Sequence, residues 1–185
     1  MAEQLFCKQQ VTGSIPVAGS SKGRSFNQEG VVDAQERKAL ISRYRDGHRA
    51  IVKALEGLRD EELDRSASDE WTPRMIAHHL ADSEMTSAIR LRRLIAEDDP
   101  VITGYDEVQF AKKLTSDRPI EPSLEAMRWA RESTAQILER LTEDDWHRTG
   151  THSESGPYSV EDWLTIYANH GHDHAKQIAR SRGRS

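Results

Sequence analysis

Four long segments of this chain carry apolar residues at intervals of three and four positions, and this spacing is the strongest constraint on the fold. In the first segment the repeat is made by Leu40, Ile41, Tyr44, Ile51, Val52 and Leu55. Residues at these intervals share one face of an α-helix. The spacing therefore predicts a first helix over residues 34–57, and Gly57 favours a break at its C-terminal end.

Helix-start signals introduce the other segments. Thr72 is a suitable N-cap and is followed by Pro73 at the first helical position, while Ser159 is a suitable N-cap for the last segment. The predicted helices run from Pro73 to a turn at residues 98–100, from residues 121–123 to Leu141, and from Ser159 to Ile178.

Four helices without a convincing strand predict an all-α protein, and specifically a four-helix bundle. A connector of about twenty residues separates the second and third helices, and connectors of this length often cover a site. We expect a short helix at residues 104–114 within this connector and a loop at residues 151–158.

The beginning of the chain differs in composition from the rest. It is rich in glycine and serine and has no helical or strand period. We therefore expect a disordered tail over residues 1–32 and a folded domain over residues 33–182. The tail contains GSIPVAG, which is what the T-arm of a tRNA gene yields when it is translated in one frame. This match predicts that the assigned start lies too far upstream.

Composition and charge narrow the class of protein. The chain has 26 basic and 31 acidic residues, with the basic ones interleaved among the acidic ones, so nothing predicts a nucleic-acid partner. No apolar run approaches the roughly 18–20 residues that cross a bilayer, so no membrane partner is expected. The chain has a single cysteine, Cys7, and no secretory signal is visible. We expect a cytoplasmic protein.

The last predicted helix contains three histidines within five positions. His170 and His174 are four residues apart, so they stack on one helix face, and they continue an inward stripe that includes Tyr167. His172 is rotated by about 200° from His170 and is expected to be solvated.

A third inward histidine is expected in the second helix, where His79 follows Ile76 by three positions. The adjacent His78 is its nearest rival. Imidazoles from two facing helices can converge inside a bundle, and three protein ligands leave a metal position open for substrate. The alternative is that each inward histidine is an ordinary hydrogen-bonded core residue.

Two stretches together resemble the DinB-like (YfiT-like) superfamily. The pattern is Trp71-Thr72-Pro73, then His79-Leu80-Ala81-Asp82-Ser83-Glu84, then His170 with His174. The resemblance covers about residues 34–180. It implies a four-helix bundle in which His79, His170 and His174 hold a divalent ion, which could be zinc, nickel, manganese or iron. It also implies a homodimer and a low-molecular-weight thiol as a second cofactor.

Two residues are candidates for catalytic roles. Asp82 follows His79 by three positions and could orient that ligand or pair with an arginine, although a plain surface acid fits equally well. His48 lies on the apolar stripe of the first helix and could exchange protons near neutral pH, although a core histidine fits as well.

Three functions follow from these features. The first is a metal-dependent S-transferase that joins the thiol to a small electrophile. The second is a metal-dependent hydrolase, and both enzymes would take a small-molecule substrate. The third is a non-catalytic metal-binding module associated with stress.

Overall fold

The computed structural model describes residues 32–66 and 71–182. Its elements in chain order are α1 (Ala34–Leu55), α2 (Asp60–Leu63), α3 (Pro73–Ala96), β1 (Val101–Ile102), α4 (Glu107–Leu114), α5 (Glu121–Leu138), α6 (Glu143–Trp146), β2 (Thr149–His152), β3 (Gly156–Ser159) and α7 (Val160–Ser181). The long helices α1, α3, α5 and α7 form a bundle, which confirms the predicted fold. The predicted disordered tail lies outside the described residues except for Val32. In the described part of the chain, no helix is both long and apolar enough to cross a membrane.

The predicted helix starts are confirmed by capping contacts. The Thr72 hydroxyl oxygen accepts a hydrogen bond from the backbone N–H of Met75 at 3.3 Å, and Pro73 is the first residue of α3. At the start of α7, Ser159 and Asp162 bond reciprocally to each other's backbone N–H. These contacts satisfy backbone donors that a helix leaves unpaired in its first turn.

The bundle consists of two pairs of parallel neighbours. Side-chain contacts between α1 and α7 advance along both helices together, as in Arg37 with Glu161 and Arg43 with Asn169. The same holds for α3 and α5, as in His78 with Ser123 and Arg92 with Thr134. Contacts between α3 and α7 advance in opposite directions, as in His79 with His170 and Ser87 with Trp163.

This topology explains the long connector. Because α3 and α5 are parallel neighbours, the chain must return along the bundle before α5 can begin. The 24 residues of α3 extend over about 36 Å at 1.5 Å per residue. Residues 97–120 make this return and contain β1 and α4, so the short helix expected at residues 104–114 is present.

The loop expected at residues 151–158 was wrong. Strands β2 and β3 pair there as an antiparallel hairpin, and β1 pairs with β2 in parallel. Gly156 supplies the positive φ of 82° that the hairpin turn requires. The strands have two to four residues, which is too short for an alternating pattern to appear. The short helices α2 and α6 were not predicted either, because four residues are too few for a helical repeat to appear.

The core is divided by a layer of polar side chains. One apolar cluster surrounds Trp163 and Leu94, and a second surrounds Ile76 and Met127. Between these clusters the helices carry buried polar residues, namely His79, Ser83, Glu84 and Ser87 on α3, Arg131 and Thr134 on α5, and His170 and His174 on α7. The layer therefore places chemically active groups at mid-height in the bundle.

Candidate metal centre

Three imidazoles meet in the polar layer. The Nε2 atom of His170 lies 3.4 Å from Nε2 of His79 and 3.1 Å from Nε2 of His174. One ring nitrogen from each of the three residues lies within 4.8 Å of the others, and all three residues are buried. The structure therefore brings together the three residues that were predicted as ligands.

These separations fit a single metal ion. Zinc binds imidazole nitrogen at about 2.0–2.1 Å, so two nitrogens of a tetrahedral site lie about 3.3–3.4 Å apart. The separations of 3.4 and 3.1 Å are close to this value. Two of the three separations therefore suit shared coordination of one ion, and the third lies within 4.8 Å.

The protonation state of the three histidines also suits a metal. Burial lowers the pKa of His79 and His170 well below the ordinary value, and the neighbouring His174 acts in the same direction. Burial lowers the pKa of His174 to about 4. All three rings are therefore neutral at pH 7, which is the form that binds a metal ion.

Neighbouring side chains orient the cluster. The Nδ1–H of His174 donates to the amide oxygen of Gln177 at 2.8 Å, which leaves the lone pair of Nε2 directed at the other two rings. The ring of Trp71 stands edge-on to His79 at 4.8 Å, and the ring of Tyr167 stands edge-on to His170 at 5.8 Å. Aromatic rings therefore flank the cluster on two sides.

The two other histidines near this sequence motif point elsewhere. His78 donates from Nε2 to the carbonyl oxygen of Arg118 at 3.2 Å and accepts at Nδ1 from the Ser123 hydroxyl at 2.8 Å. It is thus a hydrogen-bonded core residue. His172 faces away from the cluster, but the expectation that it is solvated was wrong, because it is half-buried and donates to the carbonyl oxygen of Arg43 at 3.0 Å.

Neither candidate catalytic residue joins the cluster. Burial raises the pKa of Asp82, while the charges of Arg118 and His78 oppose this shift. His48 lines a surface depression of about 360 Å³ between α1 and α5. The other lining residues of that depression are Arg45, Arg128, Trp129, Arg131 and Glu132. Catalytic roles for Asp82 and His48 stay predictions.

The sequence analysis missed a buried ion pair in the same layer. The guanidinium Nε of Arg131 lies 2.9 Å from the carboxylate of Glu84, and the hydroxyl of Tyr44 donates to that carboxylate at 2.9 Å. Arg131 also donates to the backbone carbonyl oxygens of Tyr44 and Tyr167. Burial raises the pKa of Glu84, and Arg131 opposes the shift. The sequence did contain a signal for this ion pair, because Glu84 and Arg131 are charged residues on the otherwise apolar faces of two different helices.

Comparison with known proteins assigns the family. The model of the DinB superfamily matches residues 43–178 of the chain. The chain belongs to the DinB superfamily. The predicted resemblance is thereby confirmed. This DinB superfamily member is 38% identical over 139 residues to a protein of Oceanobacillus iheyensis, and the match covers 75% of the chain and 81% of the relative.

A second relative, from Geobacillus kaustophilus, is 35% identical to this DinB superfamily member over 136 residues, which cover 71% of the chain and 75% of the relative. Both relatives carry the provisional name of metal-dependent hydrolase. The names describe those proteins and leave open the reaction of this one.

Two solved structures resemble the fold. The first is YfiT from Bacillus subtilis, which is provisionally assigned as a metal-dependent hydrolase and has an unusual four-helix bundle topology. It matches this chain with a TM-score of 0.78 and 27% identity, and the match covers 88% of this chain and 96% of YfiT. A mycothiol-dependent maleylpyruvate isomerase matches with a TM-score of 0.60 and 13% identity, covering 77% of this chain and 60% of the isomerase. The likeness to the isomerase shows the fold alone.

Proposed function

We propose that the protein is a divalent-metal-dependent enzyme in which His79, His170 and His174 hold the ion. The observation that carries the proposal is the convergence of three neutral imidazoles, each offering a nitrogen within 4.8 Å of the others. A metal ion in this position supplies Lewis acidity, which lowers the pKa of a coordinated thiol or water. The side chains themselves hold and orient the ligand set, with Gln177 fixing the ring of His174.

We propose thiol-dependent S-transfer as the reaction. A sulfur–carbon bond forms between a low-molecular-weight thiol and a small electrophile, the leaving group departs with its bonding electron pair, and the thiol proton passes to solvent. The proposal takes the thiol from a low-molecular-weight cofactor, as the family resemblance implies.

The surroundings of the histidines support S-transfer over hydrolysis. Attack by water is assisted by a general base within hydrogen-bond reach, whereas a thiolate needs none when it attacks. Among residues 32–66 and 71–182, no carboxylate joins the three-histidine cluster. The buried carboxylate of Glu84 is already held by Arg131 and Tyr44.

Metal-dependent hydrolysis is the second candidate. It is favoured by the provisional name of the relatives from Oceanobacillus iheyensis and Geobacillus kaustophilus. It would use the same three histidines, with water in place of the thiol as nucleophile. A small-molecule substrate, a homodimer and a cytoplasmic location remain predictions under either reaction.

The first test is metal content, measured by plasma mass spectrometry on protein purified without a histidine tag. We expect about one equivalent of metal in the wild type, since three ligands can hold one ion. His79→Ala and His174→Ala should lose the metal, whereas the matched controls His78→Ala and His172→Ala should keep it. Absence of metal from the wild type, even after refilling with zinc, nickel, manganese or iron, would contradict both enzyme proposals.

The second test separates the two reactions. Metal-loaded protein is supplied with a model electrophile and each common low-molecular-weight thiol in turn, and then with an ester and amide panel without thiol. A rate that requires both metal and thiol supports S-transfer. Hydrolysis of the esters or amides without thiol, together with no thiol-dependent rate, would contradict S-transfer and support hydrolysis as the reaction.

A further inference from the structure

A second polar cluster lies next to the three histidines. It consists of Arg90 on α3, Tyr167 on α7 and Tyr105 in the connector. Nη1 of Arg90 donates to the Tyr167 hydroxyl at 3.3 Å, and the guanidinium carbon lies 5.8 Å from the centre of the Tyr105 ring. Because the Tyr167 ring also lies 5.8 Å from the ring of His170, a single side chain separates Arg90 from the candidate metal centre.

One donor in this cluster has no partner. The Nε–H of Arg90 is buried and makes no hydrogen bond within residues 32–66 and 71–182. The buried hydroxyl of Tyr105 interacts with the side chain of Ser83, although the geometry falls short of a full hydrogen bond. Buried donors are nearly always satisfied, so an unsatisfied Nε–H beside a weakly bonded hydroxyl calls for a ligand or an ordered water. Burial raises the pKa of Tyr167 to about 12 and also raises that of Tyr105, so both hydroxyls stay protonated at neutral pH.

The arginine is held in place before any ligand arrives. Its Nη2 donates to the backbone carbonyl oxygen of Thr103 at 2.8 Å, and its Nη1 donates to Tyr167. Both partners are neutral, so these bonds leave the positive charge of the guanidinium in place. The bond to Thr103 also fixes the connector two residues before Tyr105. A fixed guanidinium loses little freedom on binding a carboxylate.

We propose that Arg90, Tyr105 and Tyr167 bind a carboxylate group of the small-molecule substrate. The proposal deepens the proposed metal-dependent function and rests on it for the identification of the ligand as substrate. Since the cluster adjoins His170, the carboxylate lies close to the reacting carbon, and the substrate class is short-chain electrophilic carboxylic acids. With chloroacetate, a sulfur–carbon bond forms, the carbon–chlorine bond breaks, chloride leaves with the electron pair, and the thiol proton passes to solvent.

Two nearby carboxylates oppose anion binding, and one of them supplies a sharp control. Glu84 and Glu107 both contribute to the raised pKa of Tyr167, and Glu107, at the start of α4, also contributes to that of Tyr105. Because Glu84 is paired with Arg131, the control uses Glu107. Neutralising it should strengthen carboxylate binding, whereas neutralising Arg90 should weaken it. Opposite responses to two charge-removing substitutions distinguish recognition of charge from a general loss of structure.

The binding test uses saturation-transfer NMR with propionate and its neutral analogue propionamide, on metal-free and metal-loaded protein. We expect propionate to bind about tenfold more tightly than propionamide, as is typical of a charge-assisted hydrogen bond. Arg90→Gln and Tyr105→Phe should abolish that preference, Glu107→Gln should enhance it, and Arg93→Gln, a surface arginine of the same helix, should leave it unchanged. Thermal unfolding of each variant shows whether its fold is intact.

The outcomes separate this proposal from the proposed function. Equal binding of propionate and propionamide, or unchanged propionate binding in a metal-replete Arg90→Gln variant, would overturn the carboxylate site while leaving the enzyme proposal standing. A propionate preference that depends on Arg90, in protein that never binds metal, would keep the binding site and overturn the enzyme. Thiol-dependent turnover of chloroacetate over chloroacetamide, corrected for uncatalysed rates and lost in Arg90→Gln, would support both.

Discussion

At the scale of single residues, burial accounts for the chemistry of the three histidines. An exposed histidine is partly protonated near neutral pH, but desolvation keeps His79, His170 and His174 neutral. The rings are therefore ready to bind a cation without first releasing protons. The same burial destabilises the metal-free fold in acid, because the rings must gain protons there.

The pH dependence of stability tests this account. The pKa of His174 falls from 6.5 to about 4 on folding, so the unfolded chain binds more protons between these values. The stabilisation that comes from the neutral ring of His174 is complete above pH 6.5 and is lost as the pH falls towards 4. In metal-free protein, His174 should account for about 2–3 kcal/mol of the stability lost between pH 7.5 and 4.5.

Urea unfolding of metal-free wild type and His174→Gln at both pH values measures this contribution. The variant should lose less stability on acidification than the wild type does. An identical acid dependence in the two proteins would show that the neutral ring of His174 is not held by the fold.

The residue scale also shows what a single sequence can predict about a site. The positions of His79, His170 and His174 followed from helical phase, because three- and four-residue steps fix the face on which a side chain lies. The pairing of Glu84 with Arg131 did not follow, since the two lie on helices whose relative placement depends on tertiary packing. Unpaired donors such as the Nε–H of Arg90 become visible only in three dimensions.

At the scale of elements, α1 and α7 approach each other closely at two glycines. A Cβ atom at Gly171 would lie 3.0 Å from the carbonyl oxygen of Gly47, and a Cβ atom at Gly47 would overlap the guanidinium of Arg131. Gly47 thus leaves the space through which Arg131 reaches the carbonyl oxygen of Tyr44. Small residues on α1 and α7 accommodate the buried ion pair.

Gly47→Ala should therefore destabilise the protein. At an open helical position this change stabilises by up to about 1 kcal/mol, because alanine favours the helix. Here we expect a loss of about 2–4 kcal/mol, because displacing Arg131 disturbs a buried charge pair. Thermal and urea unfolding give the sign. A variant as stable as the wild type, or more stable, would mean that Arg131 has room that the structure does not show.

Element predictions succeeded where the signal was local. The caps at Thr72 and Ser159 and the apolar spacing lie within single segments, so the long helices were predictable. The hairpin at residues 149–159 has strands of only four residues, which are too short to show an alternating pattern, and its partner β1 is distant in sequence. The parallel arrangement of α3 and α5 was likewise hidden, although the length of residues 97–120 is its direct consequence.

At the scale of the whole molecule, an apolar patch lies on the exposed face of α3. It consists of Met85 and Ile89, which are exposed by 48% and 58%. The two residues are four positions apart, so they are neighbours on one face of the helix. Exposed apolar residues that lie side by side mark contact surfaces.

We predict that the homodimer implied by the family resemblance forms through this patch. Size-exclusion chromatography with light scattering should give a dimer for the wild type and a monomer for Ile89→Glu, because a buried unpaired carboxylate opposes association. Val52→Glu, at an exposed position on α1, should stay dimeric. A monomeric wild type, or an unaffected Ile89→Glu variant, would contradict the prediction.

The pairing of α1 with α7 also governs the order of events during synthesis. These helices are separated by more than one hundred residues, and contacts between distant segments slow folding. A growing chain that has completed α3 holds only one of the three clustered histidines, since His170 and His174 lie in α7. The ribosome must therefore release α7 before the core can close, and under the proposed function the metal ion would be bound only after synthesis of the whole chain.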